Sequence, residues 1–111
     1  MADRLIRVIP GGRAIVQGVS NQGAGQFEAV QARNDILSYQ IDYTRWLEGD
    51  TIASSLVETT GVTVATTENT STLYLVVSGV SVEGSATIAI TSADGRVKEI
   101  VVNFREARLD D

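Results

Sequence analysis

The sequence contains no cysteine and no histidine. That removes disulfides, thiolate and imidazole metal ligands, and every Ser-His or Cys-His catalytic arrangement. Proline occurs once, at Pro10, lysine once, at Lys98, and tryptophan once, at Trp46. No apolar run approaches the ~20 residues of a membrane-spanning helix. The start, Met1-Ala2-Asp3-Arg4, is not followed by the long apolar core of a secretory signal. The expectation is a protein made in the cytoplasm, not exported by the usual route, with no membrane partner. The net charge of −5 argues against general nucleic-acid binding, which rests on neutralising phosphates.

What is present points to β-structure. The 111 residues suit one domain, and 43% of them are hydrophobic. Val, Ile and Thr dominate, and their branched Cβ atoms suit a pleated surface. Strict alternation begins at residue 36. It sets Leu37, Tyr39, Ile41 and Tyr43 on one face and Ser38, Gln40 and Asp42 on the other. Residues 44–48 are too short for a stable helix and suit a single turn that drops Trp46 or Leu47 into the core. Gly49-Asp50 turns the chain. Residues 51–59 restart a strand around Ile52, with a bulge expected near Ser54-Ser55, where the apolar phase slips. Further strands are expected over residues 62–66, 72–78, 85–92 and 97–104. The one over 72–78, with Leu73, Leu75 and Val77 against Tyr74 and Val76, reads as buried on both faces. Asp94-Gly95 is the clearest hairpin turn in the chain.

These spacings predict an all-β, Ig-like antiparallel β-sandwich over residues 35–104, ending in a charged tail over 105–111. Its core is expected to include Trp46, the largest piece, with Leu47, Tyr39, Ile41, Ile52 and Leu75. Residues 1–34 look different. They are broken by Pro10 and five glycines, with short strands at 5–9 and 13–19 around Gly11-Gly12 and a polar, Gly-rich loop over 20–26. They read as an extended N-terminal arm or edge hairpin. The arm is mildly basic and the body acidic, so Arg4, Arg7 and Arg13 are candidate contacts to a neighbouring copy. Tyr74, out of phase with Leu73 and Leu75, is the best candidate for an exposed aromatic at an interface. On this reading, removing residues 1–30 leaves a folded body and abolishes assembly.

Candidate chemistry is thin. Gly23-Ala24-Gly25 begins like a dinucleotide fingerprint, but Glu28 stands where the third glycine belongs and no helix follows. Asp42, Glu48 and Asp50 lie close in sequence, as a carboxylate pair or a calcium site would require. They match no calcium-loop spacing, and turn and cap roles explain them better. Ser54-Ser55 has no histidine to act as base. The sequence therefore predicts neither an enzyme nor a cofactor or metal site.

The run Leu37-Ser38-Tyr39-Gln40-Ile41-Asp42-Tyr43-Thr44-Arg45-Trp46-Leu47-Glu48-Gly49-Asp50-Thr51-Ile52-Ala53-Ser54-Ser55 resembles the signature of a family of small tailed-bacteriophage virion proteins of the fiber–tail adaptor type. The Ser92-Ala93-Asp94-Gly95-Arg96 hairpin sits where that family has one. Tyr43 and Val57 depart from the family pattern, where Trp and an aromatic are common, and residues 1–34 lie outside the resemblance. It implies an Ig-like domain, no catalytic residue, a place in the virion, and partners among other tail, fiber or capsid proteins, in a homo-oligomeric assembly. The alternatives are a capsid decoration protein and, below it, a carbohydrate-binding module using Tyr74 or an exposed Trp46.

Overall fold

Strands with one apolar face close a core by setting two sheets face to face. The computed structural model describes residues 3–8, 14–23, 25–80 and 82–107. Within them the elements run β1 (Arg4–Val8), β2 (Ala14–Gln17), β3 (Ser20–Gly23), β4 (Gln26–Gln31), β5 (Leu37–Asp42), α1 (Thr44–Leu47), β6 (Ile52–Thr60), β7 (Thr63–Glu68), β8 (Thr72–Ser78), β9 (Glu83–Ser92) and β10 (Val97–Glu106). One sheet, A, has the order β2-β1-β5-β8-β7, and the other, B, has β3-β4-β10-β9-β6. The protein is an all-β sandwich.

The alternation read from the sequence decides which side chains meet between the sheets. Tyr39 and Ile41 of β5 and Leu73, Leu75 and Val77 of β8 face Ala86, Ile88 and Ile90 of β9 and Ile100, Val102 and Phe104 of β10, all of them buried. Tyr39 meets Phe104 edge-on, with ring centroids 5.7 Å apart and planes at 89°, the geometry that the ring quadrupoles favour. The register shift in β6 falls between Ile52 and Ser54. The apolar phase slips at that point, which was the sequence signal for a bulge.

Two features differ from the sequence expectation. The first is that the sheets are mixed. β5, β8 and β7 in sheet A, and β10, β9 and β6 in sheet B, pair antiparallel throughout. To each antiparallel triplet the first 31 residues add a hairpin, β1–β2 to sheet A and β3–β4 to sheet B. Each hairpin docks through a parallel ladder, β1 on β5 and β4 on β10. Parallel neighbours need a long crossover between them, and the chain supplies it by visiting the opposite sheet before returning. In place of a single loop over 20–26, residues Ser20–Gly23 form β3, and Gln26 begins β4. A free arm is not what the described residues form. Ile6, Val8, Val19, Phe27 and Ala29 are all in the core, so removing residues 1–30 strips buried side chains from both sheets. The turn around Gly11-Gly12 lies outside the described residues.

The second difference concerns exposure. Strand β8 is an interior strand, but its outer face is open, with Tyr74 38% and Val76 44% exposed. Trp46 is only half-buried, packed against the core rim, while Leu47 is 1% exposed. Successive residues of a helix point about 100° apart, so a one-turn helix can aim only one of the two inward. The largest fully buried side chains are Tyr39 and Tyr43.

Candidate interaction surfaces

The motif around Trp46 occupies one end of the sandwich, where α1, the β7–β8 loop and the β9–β10 turn converge. Asp42 begins it. Its carboxylate accepts from the Thr44 N–H at 2.9 Å and from the Thr44 hydroxyl at 2.6 Å, and it pairs with Arg7 at 3.4 Å. Partial burial works to raise the Asp42 pKa, but the Thr44 hydrogen bonds and Arg7 outweigh it, and the net shift is downward. The helix lasts one turn because Glu48 and Gly49 follow with φ of 52° and 90°, a left-handed pair that ends it. Asp50 then bridges two segments. One carboxylate oxygen accepts from the Thr51 N–H at 2.9 Å and the other from the Asp94 N–H at 3.1 Å.

Arg96 closes this end. Its guanidinium lies 4.7 Å from the centroid of the Trp46 ring. It donates to the carbonyl oxygens of Trp46 (3.1 Å) and Leu47 (2.9 Å) and to Asp94 (3.2 Å). Those carbonyls belong to the last turn of α1 and have no partner within the helix, so a cation is the natural group to satisfy them. Asp94 in turn accepts from the Ser92 hydroxyl. That bond, with those from Arg96, holds the Asp94 carboxyl at about 2. Backbone bonds from Ile52 to Thr70, Tyr43 to Ser71 and Ala93 to Thr51 complete the joint. Trp46, Gly49, Asp50, Asp94 and Gly95, separated by up to 49 residues, thus meet in one structure that ties sheet A to sheet B.

The polar side chains of this joint bond chiefly to the backbone and to one another. Asp42 and Asp50 are engaged as caps of separate turns. Among the described residues no group of three or more carboxylates could hold a metal ion. Ser54 and Ser55 follow the β6 register shift, paired with Thr91 and Ile90 of β9. One face of the Trp46 ring is covered by Arg96.

A second network locks the N-terminal hairpins to the body at the opposite end. Gln31 is 1% exposed. Its amide donates to the carbonyls of Val77 (2.8 Å) and Asp35 (3.0 Å), and its oxygen accepts from the Tyr39 hydroxyl at 2.9 Å. Arg4 reaches in, donating to the Tyr39 hydroxyl at 2.7 Å and to the Val30 carbonyl at 2.6 Å. Burial raises the Tyr39 pKa while the Arg4 charge opposes it. Arg4 is therefore an internal strut. Gly18, at φ 75°, lets the chain pass it, since a Cβ there would stand 2.9 Å from the Arg4 side chain. Of the other expected contacts, Arg7 is paired with Asp42, and Arg13 lies outside the described residues. Tyr74 is open. Gln31 was not singled out in the sequence, although it is in phase with Phe27 and Ala29, an alternation that also marks β4.

The outer surfaces of the two sheets differ in character. On sheet B a depression of about 490 Å³ is lined by the polar and charged Glu28, Thr60, Glu83, Ser85, Asn103 and Arg105 together with Gly84 and Phe104. On sheet A, the centre of the outer face is charge-poor. Tyr74 and Val76 stand out of β8 between Gln40 and Ser38 of β5 and Thr67 and Ala65 of β7. An aromatic in a charge-depleted centre with ionic groups at the rim is the usual composition of a protein contact surface.

The comparisons agree with this reading of the molecule as architecture. A search of the curated proteins finds no match to the chain. The family model described as "Podophage GP4 fiber-tail adaptor protein gp77" matches residues 31–105. That span takes in the two antiparallel triplets and the whole Trp46–Arg96 joint, leaving β1 to β3 and most of β4 outside. The chain belongs to the podophage GP4 fiber-tail adaptor protein family.

Proposed function

We propose that the protein is a non-enzymatic connector that attaches fiber components to the tail of a podophage through direct protein–protein contacts. The observation that carries the reading is the coincidence of the family match with the structural joint. The residues the family model covers are the ones that lock the two sheets together, and their polar side chains are engaged in holding the fold. A connector needs a stiff body that transmits load between partners, and a tied sandwich provides one. Contact is left to the surface, with Tyr74 as the leading anchor on sheet A. Arg4 drops out of the interface set, and Arg7 contributes at most a rim charge already paired with Asp42. Assembly follows synthesis in the host bacterial cytoplasm, where a fold that needs no disulfide forms without an oxidising compartment.

The test is genetic complementation of assembly. Particles made without this protein are expected to carry tails but no fibers, and purified protein added to them is expected to restore fiber attachment. Fibers on particles that lack the protein contradict the connector. Full fibers with unstable capsids assign it to decoration instead.

A further inference from the structure

Among the described residues the sandwich has four edge strands, and one of them, β7, has none of the usual guards in mid-strand. Edge strands expose unpaired backbone groups, and proteins blunt them with short length, bulges, lysine or proline. β2 and β3 are four residues each, and β3 loses register between Asn21 and Gly23. β6 shifts register at its start, between Ile52 and Ser54, and carries the exposed, charged Glu58 in the middle of the run that follows. β7 does none of this. It keeps register through six consecutive pairs, from Thr63 opposite Ser78 to Glu68 opposite Leu73. Its sequence, TVATTE, is mostly β-branched and contains neither lysine nor proline.

The hairpin fixes which of its backbone groups face outward. The Asn69 N–H donates to the Thr72 carbonyl at 2.8 Å, closing the turn. Hydrogen-bonded and non-bonded pairs alternate along an antiparallel ladder. Thr67–Tyr74, Ala65–Val76 and Thr63–Ser78 are therefore the bonded pairs. The N–H and C=O groups of Val64, Thr66 and Glu68 point to the open side.

We propose that β7 is a docking edge that takes up an extended segment of another virion protein as a sixth strand of sheet A. This deepens the connector reading and rests on it. Main-chain pairing supplies the attachment, and side chains supply selectivity. The edge is continuous with the charge-poor outer face. Only the small side chains of Ala65 and Thr67 stand between it and the exposed Val76 and Tyr74, so a long apolar side chain of the incoming strand can lie across Ala65 onto Val76. Glu68 at one end favours a basic residue opposite it. The occupant is thus extended, uncharged in its middle, apolar at one outward position and basic at one end. A second copy of this chain fits less well. Each copy carries −5, and the β7 sequence, TVATTE, offers neither the long apolar residue nor the basic end that this edge calls for.

Thr66→Pro tests this directly. Proline at position 66 removes an outward N–H and leaves the ladder to β8 intact, since Thr66 sits in a non-bonded pair. The variant is expected to keep its strand spectrum and melt within a few degrees of wild type, while particles carrying it lose fibers at least about tenfold. Thr66→Val, which keeps the N–H, is expected to behave as wild type. Normal fiber content with Thr66→Pro overturns strand addition and leaves the connector standing. Fiber loss on complete removal of the protein is the separate test of the connector itself. If Thr66→Pro fails to fold, amide exchange of the wild-type protein decides. Residues 63–68 are expected to exchange at least about tenfold more slowly in assembled particles than in the isolated protein, and equal rates overturn the proposal. A wild-type dimer that Thr66→Pro converts to monomer also overturns it, in favour of a second copy.

Discussion

Tyr43 illustrates how a single side chain can be buried at a cost. Its ring is fully buried and meets Trp46 edge-on at 6.3 Å, while its hydroxyl has no hydrogen-bond partner among the described residues. Burial pushes its pKa well up, because the phenolate would have nothing to stabilise it there. An unsatisfied buried hydroxyl costs about 1–3 kcal/mol. Tyr43→Phe is therefore expected to raise stability by about 1 kcal/mol in urea unfolding, and a loss of stability contradicts that account. Asp94 makes the opposite case, a surface carboxylate with more partners than a free one would have. Its pKa is lowered from 3.8 to about 2, and Asp3, held by the Ser38 N–H and hydroxyl, is lowered as well. A depressed folded-state pKa contributes stability above the unfolded value and loses it as pH falls through the folded one. The melting temperature is expected to decline between about pH 4 and pH 2, and Asp94→Asn to flatten that decline. A variant with the wild-type acid profile removes Asp94 from the explanation.

At the scale of elements, the hairpins of residues 4–31 carry the next prediction. Phe27, Ile6 and Val8 are buried, and Gln31 and Arg4 tie the hairpins to Tyr39 and Val77. Phe27→Ala is expected to cost about 3–5 kcal/mol, as core aromatic truncations do. A chain beginning at residue 31 is expected to be partly unfolded by circular dichroism, and a cooperative melt in that fragment contradicts the two-hairpin account. The sequence was legible where structure is local. The alternation in β5 and β8, the phase slip in β6 and the Asp94-Gly95 turn each announce themselves within a few residues. The parallel ladders do not, because β1 meets β5 and β4 meets β10 only after long excursions, and no local pattern encodes direction. β3 is polar along its length, so periodicity had nothing to report. The Arg96 guanidinium over Trp46 spans 50 residues, and only the family signature hinted that those two segments belong together. Tyr74 was visible from its phase alone, whereas Arg4, equally basic on paper to Arg7, turned inward for a phenol and a carbonyl that only the fold could bring to it.

The described molecule is an acidic sandwich with a tied end, a charge-poor outer face on sheet A and an edge strand, β7, beside it. These properties suit a part that stands between two larger ones. A component at the junction of tail and fiber is repeated by the rotational symmetry of the tail, whereas a capsid decoration protein is repeated over the whole shell. Quantitative mass spectrometry of purified virions separates the two by counting copies. The connector account predicts about a dozen to a few dozen copies per particle. Several hundred copies would place the protein on the capsid and contradict it.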